Sequence, residues 1–217
     1  MDSNFSQLLL MIAPMLFAIT IHEFAHGYVA YLMGDDTAKL LGRLTLNPIK
    51  HLDPIGSFIL PLILKIMGAP VFGYAKPVPI NPNKFVDFKK GMILVSGAGV
   101  FANMICAVIS GIIFQLIIHF GYIWGSSFLE YVIIPILHIL KYSVIINLVL
   151  AIFNLIPVPP LDGSKILAMI LPQNLSEQFQ KIEPYGMIIL MLLLMTDVLD
   201  KIISFFINPL GRLLLGN

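Results

Sequence analysis

Residues 22–26 read His-Glu-Phe-Ala-His. On a helix, His22 and His26 stand one turn apart on the same face, where two imidazoles can share a metal ion. Glu23, beside the first of them, is the residue type that takes a proton from a water made acidic by a metal. From the five histidines and four glutamates of the 217 residues, chance would produce this pattern roughly 0.002 times, so the spacing carries information. The bland alternative is a helix with incidental polar side chains satisfied by their neighbours. The surroundings weigh against it. The apolar run from Phe5 to Met33 is long enough to cross a bilayer, and three ionisable groups in hydrocarbon are costly without a metal or a partner.

The elements that must position these residues are those of an integral membrane protein. The chain is 58% hydrophobic and 12% charged, where an ordinary globular domain carries about 25% charged residues. Its length suits one membrane-embedded domain over 1–217, with a catalytic core at about 5–171 and a last transmembrane helix at about 185–208. A net charge of +1 without a basic block gives no signal for nucleic acid. The single cysteine, Cys106, excludes an intrachain disulfide and a cysteine-based metal site, and reads as a small core hydrophobe. The N-terminal run lacks a basic leader and is too long for a signal peptide, so it is expected to remain as a span.

Further apolar stretches follow: Ile55–Met67, short or re-entrant between Pro54 and Gly68; Gly91–Phe120 and Phe128–Ile156, each a full span; Leu161–Leu171, a short helix; and Tyr185–Ile207. The expected fold is an all-α polytopic membrane protein of about five to six membrane segments. The stretch Val71–Pro82 (VFGYAKPVPINP) differs in kind. Its prolines forbid a helix interior and a central strand, which predicts a short membrane-associated β-strand or hairpin element, or an extended connector, near 71–82. Lys39, Arg43 and Lys50 follow the first span, Lys84, Lys89 and Lys90 precede the Gly91 span, and the Gly121–Ser127 loop is uncharged. The positive-inside rule then puts the N-terminus outside and the 34–54 and 83–90 loops in the cytoplasm. His22, about 26 Å of helical rise beyond Phe5, falls nearer the cytoplasmic face.

A catalytic zinc site uses three protein ligands and a water, so two histidines need one more. His119 and Glu130 flank the uncharged outer loop, on the wrong side. His138 shares a helix face with Lys141 and reads as structural. Glu177 and Glu183 are open as ligands, and His51 is a weak candidate in a cytoplasmic loop. Asp162 is better placed. It follows an inward-going span, in NLIPVPPLDG at 154–163, where three prolines hold the chain out of helix. On spacing alone, Asp162 reads first as the N-cap of a helix Gly163–Leu171. One carboxylate oxygen could serve each role.

HEFAHGYVA at 22–30 together with NLIPVPPLDG at 154–163 resembles the site-2 protease family of intramembrane zinc metalloproteases. The family pairs His-Glu-x-x-His on one transmembrane helix with Asn-x-x-Pro-x-x-x-Leu-Asp-Gly at the end of a later one. GRLTLNPIKHLDPIG (42–56), FGYAKPVPINP (72–82) and VSGAGVFAN (95–103) are similar to its compact prokaryotic branch, without PDZ or CBS domains, and the likeness runs from about residue 15 to 170. It implies that His22, His26 and Asp162 ligate one Zn2+, that Glu23 is the general base and that Asn154 positions substrate or polarises the scissile carbonyl. It also implies that the 71–82 element engages the substrate as an added strand, the substrate being the transmembrane segment of another protein within the lipid of the cytoplasmic membrane. Val100 stands where proline is usual, and Tyr74 where tryptophan is common. Two rival readings remain from the residues. One is a membrane zinc-binding protein or transporter that needs no base at Glu23; the other is a metalloprotease whose third ligand is a glutamate.

Overall fold

The computed structural model of the protein describes residues 3–68, 73–121 and 128–216. The described residues form helices joined by short irregular segments: α1 (Ser3–Leu32), α2 (Thr37–Leu40), α3 (Leu60–Ile66, entered through a π turn at Ile55–Ile59), α4 (Phe88–His119), α5 (Ile134–Leu155, entered through a π turn at Leu129–Ile133), α6 (Asp162–Ile170), α7 (Gln173–Gln180), α8 (Gly186–Leu194) and α9 (Asp197–Leu215). Among them, three helical stretches are long and apolar enough to cross a membrane: Leu10–Leu32, Phe88–His119 and Leu129–Leu155. These match the three full spans expected before residue 160. Residues 122–127 of the expected outer loop lie outside the described residues.

The three long helices pack through stripes with a period of four. In α1 the buried stripe is Pro14, Ala18, His22, His26 and Ala30. In α4 it is Gly91, Val95, Gly99, Asn103, Ala107 and Gly111. In α5 it is Ser143, Asn147 and Ala151, flanked by Val144, Leu148 and Ile152. Rows spaced i, i+4 are one of the ridges by which helices interlock. Their small residues let the backbones approach, which is how helices associate where solvent gives no hydrophobic drive. The opposite faces carry large apolar side chains, such as Met15 and Phe17 on α1 and Phe101, Ile105, Ile109 and Ile112 on α4, all exposed. Polar groups are thus inside and apolar groups outside, the arrangement suited to lipid.

Two expectations need correction. The stretch expected as a C-terminal transmembrane helix at about 185–208 is divided between α8 and α9, and among the described residues three candidate spans are found rather than five to six membrane segments. The chain breaks at Thr196, which is extended, while its Oγ1 donates to Leu193 O at the end of α8. Asp197 and Asp200 then fill the first turn of α9, where carboxylates favour a helix start over a continuation. α9 runs on to Leu215. Its Leu199 packs with Ile156, Leu161 and Leu190, and Leu215 packs with Ala107, Val144 and Leu148.

The second correction concerns the β element near 71–82. Residues 71 and 72 lie outside the described residues, and among the described residues there is no strand. Residues 73–81 hold no regular secondary structure, and their donors go to separate partners rather than to a ladder. Tyr74 N donates to Gly56 O (3.1 Å) and Lys76 N to His51 O (2.9 Å). Asn81 N donates to Asp35 Oδ2 at 2.6 Å. Pro77 and Pro79 have no N–H, so the regular spacing of donors that a ladder needs is missing. The apolar stretch expected at Ile55–Met67 as a short or re-entrant segment is helical over 55–66, and Asp53 Oδ1 accepts from Ile55 N and Gly56 N at its start.

Candidate metal centre

His22 and His26 belong to the inward stripe of α1, so their rings point into the helix packing rather than toward lipid. Their Nε2 atoms are 3.0 Å apart. Asp162, the first residue of α6, brings its Oδ2 to 3.2 Å from His22 Nε2 and 3.0 Å from His26 Nε2. The irregular turn at 156–161 makes this possible. It ends α5 and carries the chain back so that α6 begins against the two rings. Its buried Leu161 packs with Ile156, Leu190 and Leu199.

The opposite ring nitrogens decide what the triangle can hold. His26 Nδ1 lies 2.6 Å from Val95 O. A carbonyl only accepts, so this nitrogen carries the proton and Nε2 keeps its lone pair. His22 Nδ1 faces Asn103 Oδ1 at 2.6 Å, with the same result. Three lone-pair atoms then converge with no proton among them, an arrangement that a cation relieves. Tetrahedral zinc with ligands at about 2.0–2.1 Å spaces them about 3.3 Å apart, close to the 3.0–3.2 Å found here. Two imidazoles and a carboxylate are also the donor types that zinc takes at catalytic sites, leaving a fourth position open. His22, His26 and Asp162 are the described cluster able to hold a metal ion.

Gly99 makes room for the triangle. A Cβ at this position would stand 2.6 Å from the Nε2 atoms of both histidines. Glu23 makes no hydrogen bond to the triangle among the described residues, and its Oε2 accepts from Val78 N at 2.8 Å. The irregular segment 73–81 is therefore joined to the site through Glu23, and Arg43 Nη2 steadies it by donating to Lys76 O (2.9 Å) and Pro77 O (3.2 Å). Gly56 lets this segment lie close, since a Cβ there would strike the Tyr74 ring.

The model of peptidase family M50 matches residues 54–194. The chain belongs to peptidase family M50. A Bacillus subtilis (strain 168) protein named "Putative zinc metalloprotease YwhC" is 39% identical over 188 residues, which is 87% of this chain and 81% of that one. A Mycolicibacterium smegmatis protein named "Putative zinc metalloprotease Rip2" is 28% identical over 196 residues, 89% of this chain and 69% of that one. No solved structure matches the chain. Membership of M50, the site-2 protease family, makes this a metallopeptidase, and its apolar helices make it a membrane protein.

The other expected residues of this M50 chain fall as follows. Asp162 is not the cap that spacing suggested. Neither of its oxygens accepts a backbone N–H of α6; Oδ2 faces the histidines and Oδ1 accepts from Lys165 Nζ at 3.1 Å. Asn154 is near the end of α5 and its Nδ2 donates back to Leu150 O at 2.9 Å, with no hydrogen bond to the triangle. His51 is buried elsewhere, with Nε2 at 2.8 Å from Thr45 O. His138 is half-buried and bonded within its own helix to Ile134 O. None of Glu130, Glu177 and Glu183 joins the metal cluster. Four participants carried no role in the sequence reading: Val95 O, Gly99, Asn103 and Val78 N. Only Asn103 had a legible signal, as an amide inside an apolar span that must find partners.

Proposed function

We propose that this M50 protein is an intramembrane zinc metalloprotease that hydrolyses peptide bonds in or near the transmembrane segments of other membrane proteins. The observation that carries the reading is the convergence of three lone-pair atoms, from His22, His26 and Asp162, on the buried face of apolar helices, with Glu23 beside them. The three would hold one zinc ion per chain, which when bound would acidify a water and polarise a peptide carbonyl. Glu23 accepts the proton at its carboxylate as the water oxygen bonds to the carbonyl carbon. It then passes that proton to the amide nitrogen as the C–N bond breaks. Asn154 has a second Nδ2 hydrogen with which to orient a substrate carbonyl. A helical substrate must unwind before its backbone is open to attack, and the segment at 73–81, bonded to Glu23 through Val78 N, borders the site that such a stretch would have to reach. The basic loops favour an outside N-terminus in a multi-pass arrangement in the cytoplasmic membrane, with the site toward the cytoplasm.

The test compares wild type, Glu23→Gln and Asp162→Ala, purified in lipid, for zinc per chain and for cleavage of a model transmembrane substrate. Glu23→Gln is expected to keep zinc and lose cleavage by roughly 10²–10⁴-fold. Asp162→Ala is expected to lose most of both. Full zinc and full cleavage in Asp162→Ala would remove it as a ligand. Zinc binding by the wild type without peptide cleavage, unaffected by Glu23→Gln, would instead favour a zinc-binding protein or transporter.

A further inference from the structure

Behind His22 a line of buried polar side chains crosses all three long helices. Asn103 of α4 and Asn147 of α5 are both fully buried. Asn103 Nδ2 donates to Ala18 O on α1 (3.2 Å) and to Asn147 Oδ1 (2.8 Å). Asn147 Nδ2 donates to Ser143 O at 2.8 Å and lies 3.3 Å from Ser143 Oγ. Ser143 Oγ is in turn 2.8 Å from Ser110 Oγ, back on α4. Two backbone carbonyls, Ala18 O and Ser143 O, give this line a direction, because they can only accept. Ala18 O obliges Asn103 to present its NH2 side inward, which leaves Oδ1 as the atom facing His22 Nδ1. Ser143 O does the same for Asn147, whose Oδ1 must then face Asn103. With either amide reversed, two donors or two acceptors would meet between side chains that are both fully buried.

We propose that Asn103, held in orientation by Asn147, is a positioning residue that fixes His22 in its Nδ1–H form before any metal arrives. The ring would otherwise divide between two proton positions, and the form protonated on Nε2 cannot ligate. His26 has no comparable side-chain support, because its lock is the Val95 carbonyl. It therefore serves as an internal reference. The inference rests on the reading that His22, His26 and Asp162 hold a divalent metal, and it adds two residues that touch neither metal nor substrate. Residues that orient a metal-bound imidazole typically change metal affinity by roughly 10–100-fold when removed.

The test has two readouts on the whole protein in detergent. Zinc affinity is measured by chelator competition for wild type, Asn103→Leu, Asn103→Asp, Asn147→Leu and Asp162→Ala. The proton position on each histidine is read from nitrogen-15 imidazole shifts in the metal-free protein. Asn103→Leu is expected to weaken zinc binding roughly 10–100-fold and to give His22 a mixed proton position, with His26 unchanged. Asn103→Asp keeps an acceptor at Nδ1 and should recover most of the affinity despite losing the bond to Asn147. Asn147→Leu leaves the His22 contact residue in place and should weaken binding by a smaller factor, with a partial change at His22 alone. Should Asn103→Leu fail to fold, the Asn147→Leu and Asn103→Asp results decide the matter. Wild-type affinity and an unchanged His22 spectrum in the folded variants would overturn the proposal. So would equal losses in Asn103→Leu and Asn103→Asp, which mark a purely structural role. No zinc binding by the wild type would instead overturn the metal reading beneath it.

Discussion

His22 and His26 stand on a helix packed against two others, and each is tied at Nδ1 to a buried group, Asn103 Oδ1 or Val95 O. Glu23, one residue along the same helix, is tied instead to Val78 N, in an irregular segment that belongs to no sheet. The ligands and the base are neighbours in sequence, yet they are supported by different kinds of structure. A metal site needs its donors fixed to within a fraction of an ångström, and packed helices supply that. A base that takes a proton and gives it back, beside a substrate that must enter and leave, is better served by a partner that can shift. Loops held by a few hydrogen bonds open at lower free energy than packed helices do. The difference suggests separate failures: damage to the helix side should show in metal content, and damage to the loop side in turnover.

The sharpest way to break the helix side is Gly99→Ala. The added methyl would stand 2.6 Å from both Nε2 atoms, closer than carbon and nitrogen tolerate, and the rings are pinned at their far ends. Zinc affinity is expected to fall at least roughly tenfold, as when a ligand loses its orientation. Alanine is the better helix former by about 1 kcal/mol, but displacing two pinned rings costs on the order of 1–3 kcal/mol, so the melting temperature of the metal-free protein should fall modestly while zinc affinity falls steeply. Chelator competition and melting of the metal-free protein, measured on one preparation, separate the two effects. Unchanged zinc affinity would mean that the rings have room the close approach denies them.

These two sides were not equally legible in the sequence. His22, Glu23 and His26 declared themselves by spacing, and the three long spans by length and hydropathy. The short helix after the proline turn was expected at Gly163–Leu171, one residue off its observed Asp162–Ile170. The function of Asp162 came from resemblance, because a carboxylate ahead of a helix looks like a cap whether or not a metal is near. Val95 O and Val78 N could not be read at all: a backbone atom's partner depends on how two elements are set against each other. The period of four shared by the stripes of α1, α4 and α5 was there to be read, and it would have placed Asn103 and Asn147 on inward faces. The misread C-terminal span shows the opposite error. Average hydropathy over 185–207 hid Thr196, Asp197, Asp200 and Lys201, which together end one helix and start another.

A smaller effect is expected on the loop side from Arg43→Ala. It removes the donor to Lys76 O and Pro77 O, so the segment carrying Val78 should open more readily while the metal triangle is untouched. Hydrogen exchange at the Lys76 and Val78 amides is expected to quicken by roughly tenfold, the result of losing on the order of 1.5 kcal/mol of charge-assisted bonding. Cleavage should fall by a few-fold at unchanged zinc affinity. A loss of zinc that matched the loss of cleavage would show that the two sides are one unit after all.

The mildest test lies where the segment rejoins α1. Lys84 Nζ is 2.6 Å from Asp36 Oδ1, at the surface. Its ammonium group, hydrogen-bonded to Asp36, holds that carboxyl below the usual carboxylate range, and Lys84 is raised in turn. A carboxyl depressed in the folded state stabilises the fold above its ordinary pKa of about 3.9. That contribution is lost as the pH falls through the depressed value, where the folded state must also take up the proton. Asp36→Asn should therefore lower the melting temperature slightly at neutral pH, and the difference from wild type should fade toward the bottom of the acid range. High salt should shrink it as well, since both groups are exposed. Asp35, buried beside this pair, accepts from Thr37 N and Asn81 N through hydrogen bonds that Asp36→Asn leaves in place. Zinc affinity and cleavage are accordingly expected to match wild type. A change in turnover from this surface substitution would mean that the position of Val78 is set from Lys84 onward rather than by Glu23 and Arg43.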